Sequence, residues 1–387
     1  MNTRVRLVVA LLSTGLVAYI ALGSVLGRVL GDTSYGQLAV FNEVVRLVLE
    51  AYVDPVNIDR TMDGAYLGLT EALDGDSAYL DDEELKAFQQ PVRDSDADIG
   101  VVLSRRFGFL AVVSTRPGSP AEKSGVKPGD IIKTIDERHS RPLGVPTGER
   151  LLRGAPGSVV KLRLLRAGSD PVAVSVVRER IQPEPPQAKM IEDHTGYLKV
   201  GEFSPQTAET LRGQLANLKR DGASGLLLDL RGAAYGSPED GVKTAELFLS
   251  GGVVTRLAGR TVPEKIWNAD PSRNAWDLPM ALLVDGGTAG PAEVVAAALL
   301  DAGRSPVVGE RTFGRAPHQK IVTLPEGALL LTVAKYISPK GNPIHDKGVE
   351  PSVPVSLRDE ETTDDLILKK ALEVLKTETK AEPKKAA

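Results

Sequence analysis

Apolar residues change their spacing along the chain, and each change marks a different kind of element. From Leu7 to Gly27 no residue is charged, and only Ser13, Thr14, Tyr19 and Ser24 interrupt the apolar run. About 20 apolar residues are what a helix needs to cross a hydrocarbon layer. Arg4 and Arg6 ahead of the run favour an N-terminus held in the cytoplasm. The competing reading is a cleaved signal peptide, whose apolar stretch is nearer roughly 7–15 residues, and Ala21-Leu22-Gly23 offers a cleavage site. The length favours an uncleaved signal-anchor. Residues 1–32 then form a single inner-membrane pass, with the bulk of the chain in the periplasm or cell exterior.

Residues 37–90 follow a helical period. Phe41, Val44, Val45, Val48 and Leu49 recur at three- and four-residue steps, and Tyr66, Leu69 and Leu73 do so after a break at Asp54-Pro55. Asp81, Asp82, Glu83 and Glu84 directly precede Leu85, Ala87 and Phe88, an order that suits an acidic first helical turn. A calcium loop would need a glycine and a spacing that this stretch lacks. After a polar linker, residues 96–181 read as a small strand-rich unit. Strand-like runs fall at Ile99–Leu103, Phe109–Thr115, Ile131–Ile135, Val159–Leu165 and Val172–Val177, with short helices at Pro120–Ser124 and Thr147–Arg153.

Residues 191–375 change scale again. Leu226–Leu230 and Met280–Val284 are continuous apolar strands, and Thr195–Val200, Val307–Val308 and Leu329–Val333 add others. Helical patterns at Ala208–Arg220, Asp240–Leu249, Ala292–Leu300 and Leu366–Leu375 separate them. Buried strands alternating with helices predict an α/β core of layered parallel or mixed sheet joined by crossovers. Residues 376–387, rich in Lys, Glu, Thr, Ala and Pro, read as a disordered tail.

Composition narrows the chemistry. The 387 residues contain no Cys, which removes disulfide scaffolds, Cys-ligated metals and thiol catalysis. The four histidines, His139, His194, His318 and His345, are scattered without an H-E-x-x-H arrangement. No metal or cofactor is expected. Lys plus Arg is 47 against 51 for Asp plus Glu, a net charge of -4, and this gives no reason to expect a nucleic-acid partner.

Several stretches occur in a fixed order: Asp74-Gly75-Asp76-Ser77-Ala78-Tyr79-Leu80-Asp81, Gly118 to Ile132, Leu228-Asp229-Leu230-Arg231-Gly232, Leu283-Val284-Asp285-Gly286-Gly287, Gly309 to Gly314, and Gly341 to Pro351. Together they resemble the carboxyl-terminal processing peptidases, bacterial and plastid serine proteases with an inserted PDZ domain. The resemblance spans about Gln37 to Leu357. It implies a peptidase-like α/β core preceded by a helical segment and interrupted by a PDZ domain.

The same resemblance locates a catalytic pair that this chain does not have. In the family a serine in a small-residue turn attacks the peptide carbonyl, and a neutral lysine takes its proton. Here the turn reads Thr288-Ala289-Gly290-Pro291-Ala292-Glu293, so Gly290 occupies the nucleophile's place, and Arg315 follows Thr312-Phe313-Gly314 where the lysine would stand. Glycine has no side chain to attack with, and a guanidinium keeps its proton. The oxyanion segment reads Gly232-Ala233-Ala234-Tyr235-Gly236, with Tyr235 where a glycine is expected; Gln319, matching the glutamine that orients the lysine, survives. Thr288 is the nearest substitute hydroxyl and Lys320 the nearest lysine, but a two-residue offset points Thr288 elsewhere and Lys320 lies opposite Gln319. Ser237, Ser305 and His318 read as ordinary polar residues.

The expectation is a membrane-tethered pseudo-peptidase that binds protein C-termini or exported partners without cleaving them. The resemblance places the peptide-binding loop at Asp98-Ile99-Gly100-Val101, with Leu103 further along the strand and Arg105 and Arg106 at its solvated end. Two alternatives stand beside it: an active serine-type or Thr288-based endopeptidase, and a structural pseudo-subunit of an active relative.

Overall fold

The computed structural model describes residues 33–91, 97–166, 168–192, 194–356 and 365–381. The chain divides into two units, Met1–Ala65 and Tyr66–Ala387. In the first, α1 (Thr33–Ala51) carries Glu43, Arg46 and Glu50, with Arg46 bridging both carboxylates along one face. Among the described residues no helix is long and apolar enough to cross a membrane. This corrects the expected single-pass inner-membrane placement: α1 is the longest helix described, and its charged face does not suit hydrocarbon. The Leu7–Gly27 run on which that expectation rested lies outside the described residues.

Helix α2 (Ile58–Glu71) leads to β1 (Ala78–Leu80) and α3 (Asp82–Gln89). Asp81 caps α3 by accepting the Glu84 N–H, and Asp82, Glu83 and Glu84 fill its first turn, as the acidic cluster predicts.

The PDZ-like unit consists of β2 (Val101–Arg106), β3 (Phe109–Thr115), α4 (Pro120–Lys123), β4 (Ile131–Ile135), β5 (Arg138–His139), α5 (Val145–Leu152), β6 (Val159–Leu165) and β7 (Val172–Val177). Its antiparallel sheet runs β2-β3-β4-β6-β7, with β5 paired to β4, so β2 is an edge strand. Leu103, Leu110, Ile132, Leu162 and Val176 point to one face and bury a core against α5.

The second layer system holds β8 (Gln187–Ile191), β9 (Thr195–Lys199), α6 (Thr207–Arg220), β10 (Gly225–Asp229), α7 (Pro238–Glu246), β11 (Val253–Ala258), β12 (Lys265–Asn268), β13 (Met280–Val284), α8 (Pro291–Asp301), β14 (Val307–Gly309), β15 (Pro317–Thr323), β16 (Ala328–Ile337), β17 (Val353–Pro354) and α9 (Leu366–Ala381). The central sheet has the order β17-β14-β13-β10-β9-β8, parallel except at β8. Strand alternation sorts its faces. Leu226, Leu228 and Leu282 pack toward α6, α7 and α8, while Leu227, Ala281 and Leu283 meet Ile367, Ala371 and Leu375 of α9. Helix α9 continues to Ala381, past the point where the composition predicts a disordered tail. An antiparallel sheet, β1-β16-β11-β12 with β15 on β16, closes one side and brings Asp76 next to Gln319.

Candidate functional site

The central strand β13 ends at Val284, and the chain turns sharply through Asp285–Ala289 into α8. Thr288 ties the turn down. Its Oγ1 donates to the Leu230 carbonyl at 2.9 Å and accepts the Asp285 N–H at 3.0 Å, and the residue is fully buried. Gly290 caps α8 with φ 57° and ψ -117°, a backbone conformation that side chains rarely adopt. Space is not the obstacle there: a Cβ on Gly290 would lie 3.6 Å from the Arg315 carbonyl and 3.7 Å from that of Ala234.

Beneath this turn Glu293 is fully buried. Its Oε2 accepts the N–H groups of Gly290 and Arg315 at 3.0 and 2.8 Å, and its Oε1 accepts the Gly314 N–H at 2.6 Å and the Thr312 hydroxyl. Burial pushes its pKa up to about 7, against the pull of those four donors. One carboxyl thus staples the Gly290 turn to the Thr312–Arg315 segment. Gly290 and Arg315, far apart in sequence, are brought together by it.

Arg315 does not sit free at the site. Its Nε donates to Asp76 Oδ1 at 2.7 Å, and Gln319 Nε2 donates to the Asp76 carbonyl at 2.7 Å. Burial works against the guanidinium's charge, but Asp76, Glu149 and Glu293 together raise its pKa above the ordinary value. A cavity of about 340 Å³ opens here, with Phe88, Val145, Ile321 and Leu330 in its walls beside Asp76, Glu149, Arg315 and Gln319. Glu149 comes from α5 of the PDZ-like unit. Burial raises its pKa, with Arg315 and Arg153 pulling the other way.

The loop after β10 meets the same turn through Ala233, whose carbonyl accepts the Ala289 N–H at 2.9 Å. Tyr235 accepts the Phe203 N–H at 2.9 Å through its carbonyl, and its ring lies under the Arg116 guanidinium at 3.9 Å. Its hydroxyl is buried without a hydrogen-bond partner among the described residues. Gly236 follows at φ 115°, where a Cβ would fall 2.4 Å from the Phe203 carbonyl, so only glycine fits. The PDZ-like sheet lies directly over this loop. Val102 and Val113 pack on Ala234 and Ala289, Ser114 donates to the Gly232 carbonyl, and Arg116 pairs with Glu202 at 3.3 Å.

The remaining residues singled out in the sequence take the following places. Ile99, Val101 and Leu103 are buried in the PDZ-like core, because alternate residues of a strand share one face; along the edge they present backbone rather than side chains. Gly100 and Asp98 precede β2, and Asp98 bridges Glu179 through paired backbone hydrogen bonds. Arg105 is not a solvated strand end. It is buried, donating to the carbonyls of Leu143, Gly108 and Arg141 and facing Glu71 at 3.1 Å. Arg106 is exposed and reaches the Phe313 carbonyl at 3.1 Å. Lys320 and His318 are exposed on β15, Ser237 caps α7, and Ser305 is buried against the Met280 carbonyl. Asp76 and Glu149 escaped the reading of the sequence as site residues. Asp76 lies within the Asp74–Asp81 stretch, which was a detectable signal; Glu149 enters only through the docking of α5.

A model of peptidase family S41 matches residues 194–355, and a PDZ domain model matches residues 112–166. Over 357 residues the chain is 32% identical to the carboxy-terminal processing protease CtpA of Bacillus subtilis, covering 91% of this chain and 76% of that protein. It is 30% identical over 340 residues to CtpB of the same organism, covering 85% and 70%. The solved photosystem II D1 C-terminal processing protease superposes with a TM-score of 0.69 at 27% identity, over 87% of this chain and 96% of that one.

Proposed function

The chain belongs to the carboxy-terminal processing proteases of peptidase family S41, and we propose that it is a member that captures extended polypeptide segments without cutting them. The observation that carries this reading is the pairing of Gly290 with an Arg315 already bonded to Asp76. Acyl transfer needs a nucleophile and a base within hydrogen-bond reach, and a base must be able to shed its proton. Neither condition is met by this pair. Thr288 is a poor stand-in, because its hydroxyl has the Leu230 carbonyl and the Asp285 carboxylate as acceptors and no solvent reaches it. The PDZ domain, by contrast, keeps its sheet, helix and core, and this supports the reading that it binds a peptide strand.

The test is incubation of the purified chain with denatured protein substrates, followed by mass spectrometry. Substrates should remain intact. They should also survive the Gly290→Ser variant: a Cβ has room there although the backbone angle strains it, and Arg315 still cannot accept the hydroxyl proton. Cleavage by the unmodified chain that vanishes in Thr288→Ala would establish the Thr288-based peptidase instead.

A further inference from the structure

A PDZ domain adds a ligand strand to a sheet edge and rests the ligand's terminal carboxylate on backbone N–H groups of the loop before that strand. In this chain the loop is Asp98-Ile99-Gly100-Val101, ahead of the edge strand β2. Two of its donors, the Ile99 and Gly100 N–H groups, are already engaged. The Asp98 side chain turns back so that Oδ1 accepts the Ile99 N–H at 2.6 Å and the Gly100 N–H at 3.3 Å. Gly100 sits at φ +81°, and a Cβ there would come within 2.5 Å of Ser119, so the loop is held in the conformation that aims both N–H groups at Asp98. The other oxygen, Oδ2, faces Arg153 loosely at 3.6 Å.

We infer that the PDZ domain takes an internal extended segment of a polypeptide and rejects a free C-terminal carboxylate, because Asp98 occupies the place that carboxylate would fill. This rests on the capture reading above and names the class of ligand. Two physical effects act in the same direction. An incoming carboxylate finds the Ile99 and Gly100 donors taken, and it meets a like charge at close range. Arg153 offsets part of the second effect only, since its contact with Asp98 is long and both groups are partly exposed. Glu149, across on α5 and within electrostatic reach of Asp98, adds another carboxyl to the same surroundings. An internal segment brings main-chain donors and acceptors without a terminal charge, and it avoids both penalties.

The experiment titrates the full chain with a library of twelve-residue peptides carrying apolar residues at alternate positions. Each peptide is made as the free acid, as the C-terminal amide, and with four residues appended. Amides and extended forms should bind about tenfold or more tightly than the acids, the size of one charge-assisted hydrogen bond. Asp98→Gly should free the loop donors and erase or reverse that preference. Asp98→Asn keeps an oxygen on the N–H groups but removes the charge, so it should recover only part of the acid's affinity. Thermal melts confirm that both variants are folded. Tighter binding of free acids by the unmodified chain, or a preference unchanged in Asp98→Gly, overturns the inference while leaving capture intact. If no form of any peptide binds, capture itself fails and takes the inference with it.

Discussion

At the scale of single residues, the turn from β13 into α8 is organised by Glu293. Four donors converge on its carboxyl, from Gly290, Thr312, Gly314 and Arg315, and water has no access to it. Its folded pKa of about 7 lies above the ordinary 4.5, so between those values the folded chain holds a proton that the unfolded chain has released. The resulting stabilisation is fully present below about pH 4.5 and is lost as pH rises through about 7. The whole window is worth at most about 3 kcal/mol. Urea unfolding at pH 5, 6, 7 and 8 should therefore show stability falling with pH, and Glu293→Gln should remove that component of the slope. An unchanged slope in the variant would mean that the carboxyl is already ionised throughout. The residue was visible in the sequence as an early-turn carboxylate of α8. Its wider role was not, because three of its four donors lie on the Thr312–Arg315 segment.

At the scale of elements, what could be read from the sequence depended on burial. Strands β10 and β13 announce themselves as continuous apolar runs because both of their faces are covered by helices. Strand β15 does not: it presents His318 and Lys320 to solvent and is fixed by its long pairing with β16. Strand β1 is three residues long, and only its pairing with β16 makes it a strand. The sequence pattern predicts α5 from Thr147, two residues after its observed start, yet nothing in that pattern pairs Glu149 with Arg315. The end of α5 is held by Arg178, the residue that follows β7. Its Nε and Nη2 donate to the carbonyls of Leu152 and Leu151 at 2.9 Å each, and Nη1 reaches the Ser158 hydroxyl at 3.1 Å. Helix ends leave carbonyls without partners, and a buried one left unpaired costs about 1–3 kcal/mol. Arg178→Met keeps most of the side-chain volume and removes the donors. It should destabilise the chain by about 2–4 kcal/mol in urea unfolding, with Arg178→Lys falling between the two.

At the scale of the whole molecule, the order of motifs made the peptidase core and its PDZ insertion legible, while their mutual placement depended on side chains that no linear pattern pairs. Val102 alternates with Val101 and Leu103 along β2, so it points out of the PDZ core, where it meets Val113, Ala234 and Ala289. Around this small apolar patch stand directional contacts: Ser114 to the Gly232 carbonyl, Arg106 over the Phe313 ring at 4.2 Å, and Arg116 over Tyr235 while paired with Glu202. Tyr235, which departs from the glycine expected in the oxyanion segment, is thereby a joint between the two layers rather than only an obstruction. A part-buried cation–π contact contributes about 1–2 kcal/mol, comparable to the net value of a hydrogen bond to a charged group. The sum of such contacts ties the PDZ domain to the core strongly enough that Tyr66–Ala387 should melt as one unit. Scanning calorimetry of the unmodified chain should show a single transition for that unit. Removing both the cation and the ring, in Arg116→Ala/Tyr235→Ala, takes away the contact together with the packing of Tyr235 on the Val102–Val113–Ala234–Ala289 patch, while leaving the main cluster of each domain intact. The double variant should then split the trace, with the smaller PDZ domain unfolding first and the core near its original temperature. Two separate transitions already present in the unmodified chain would show that the domains are not coupled through Tyr235.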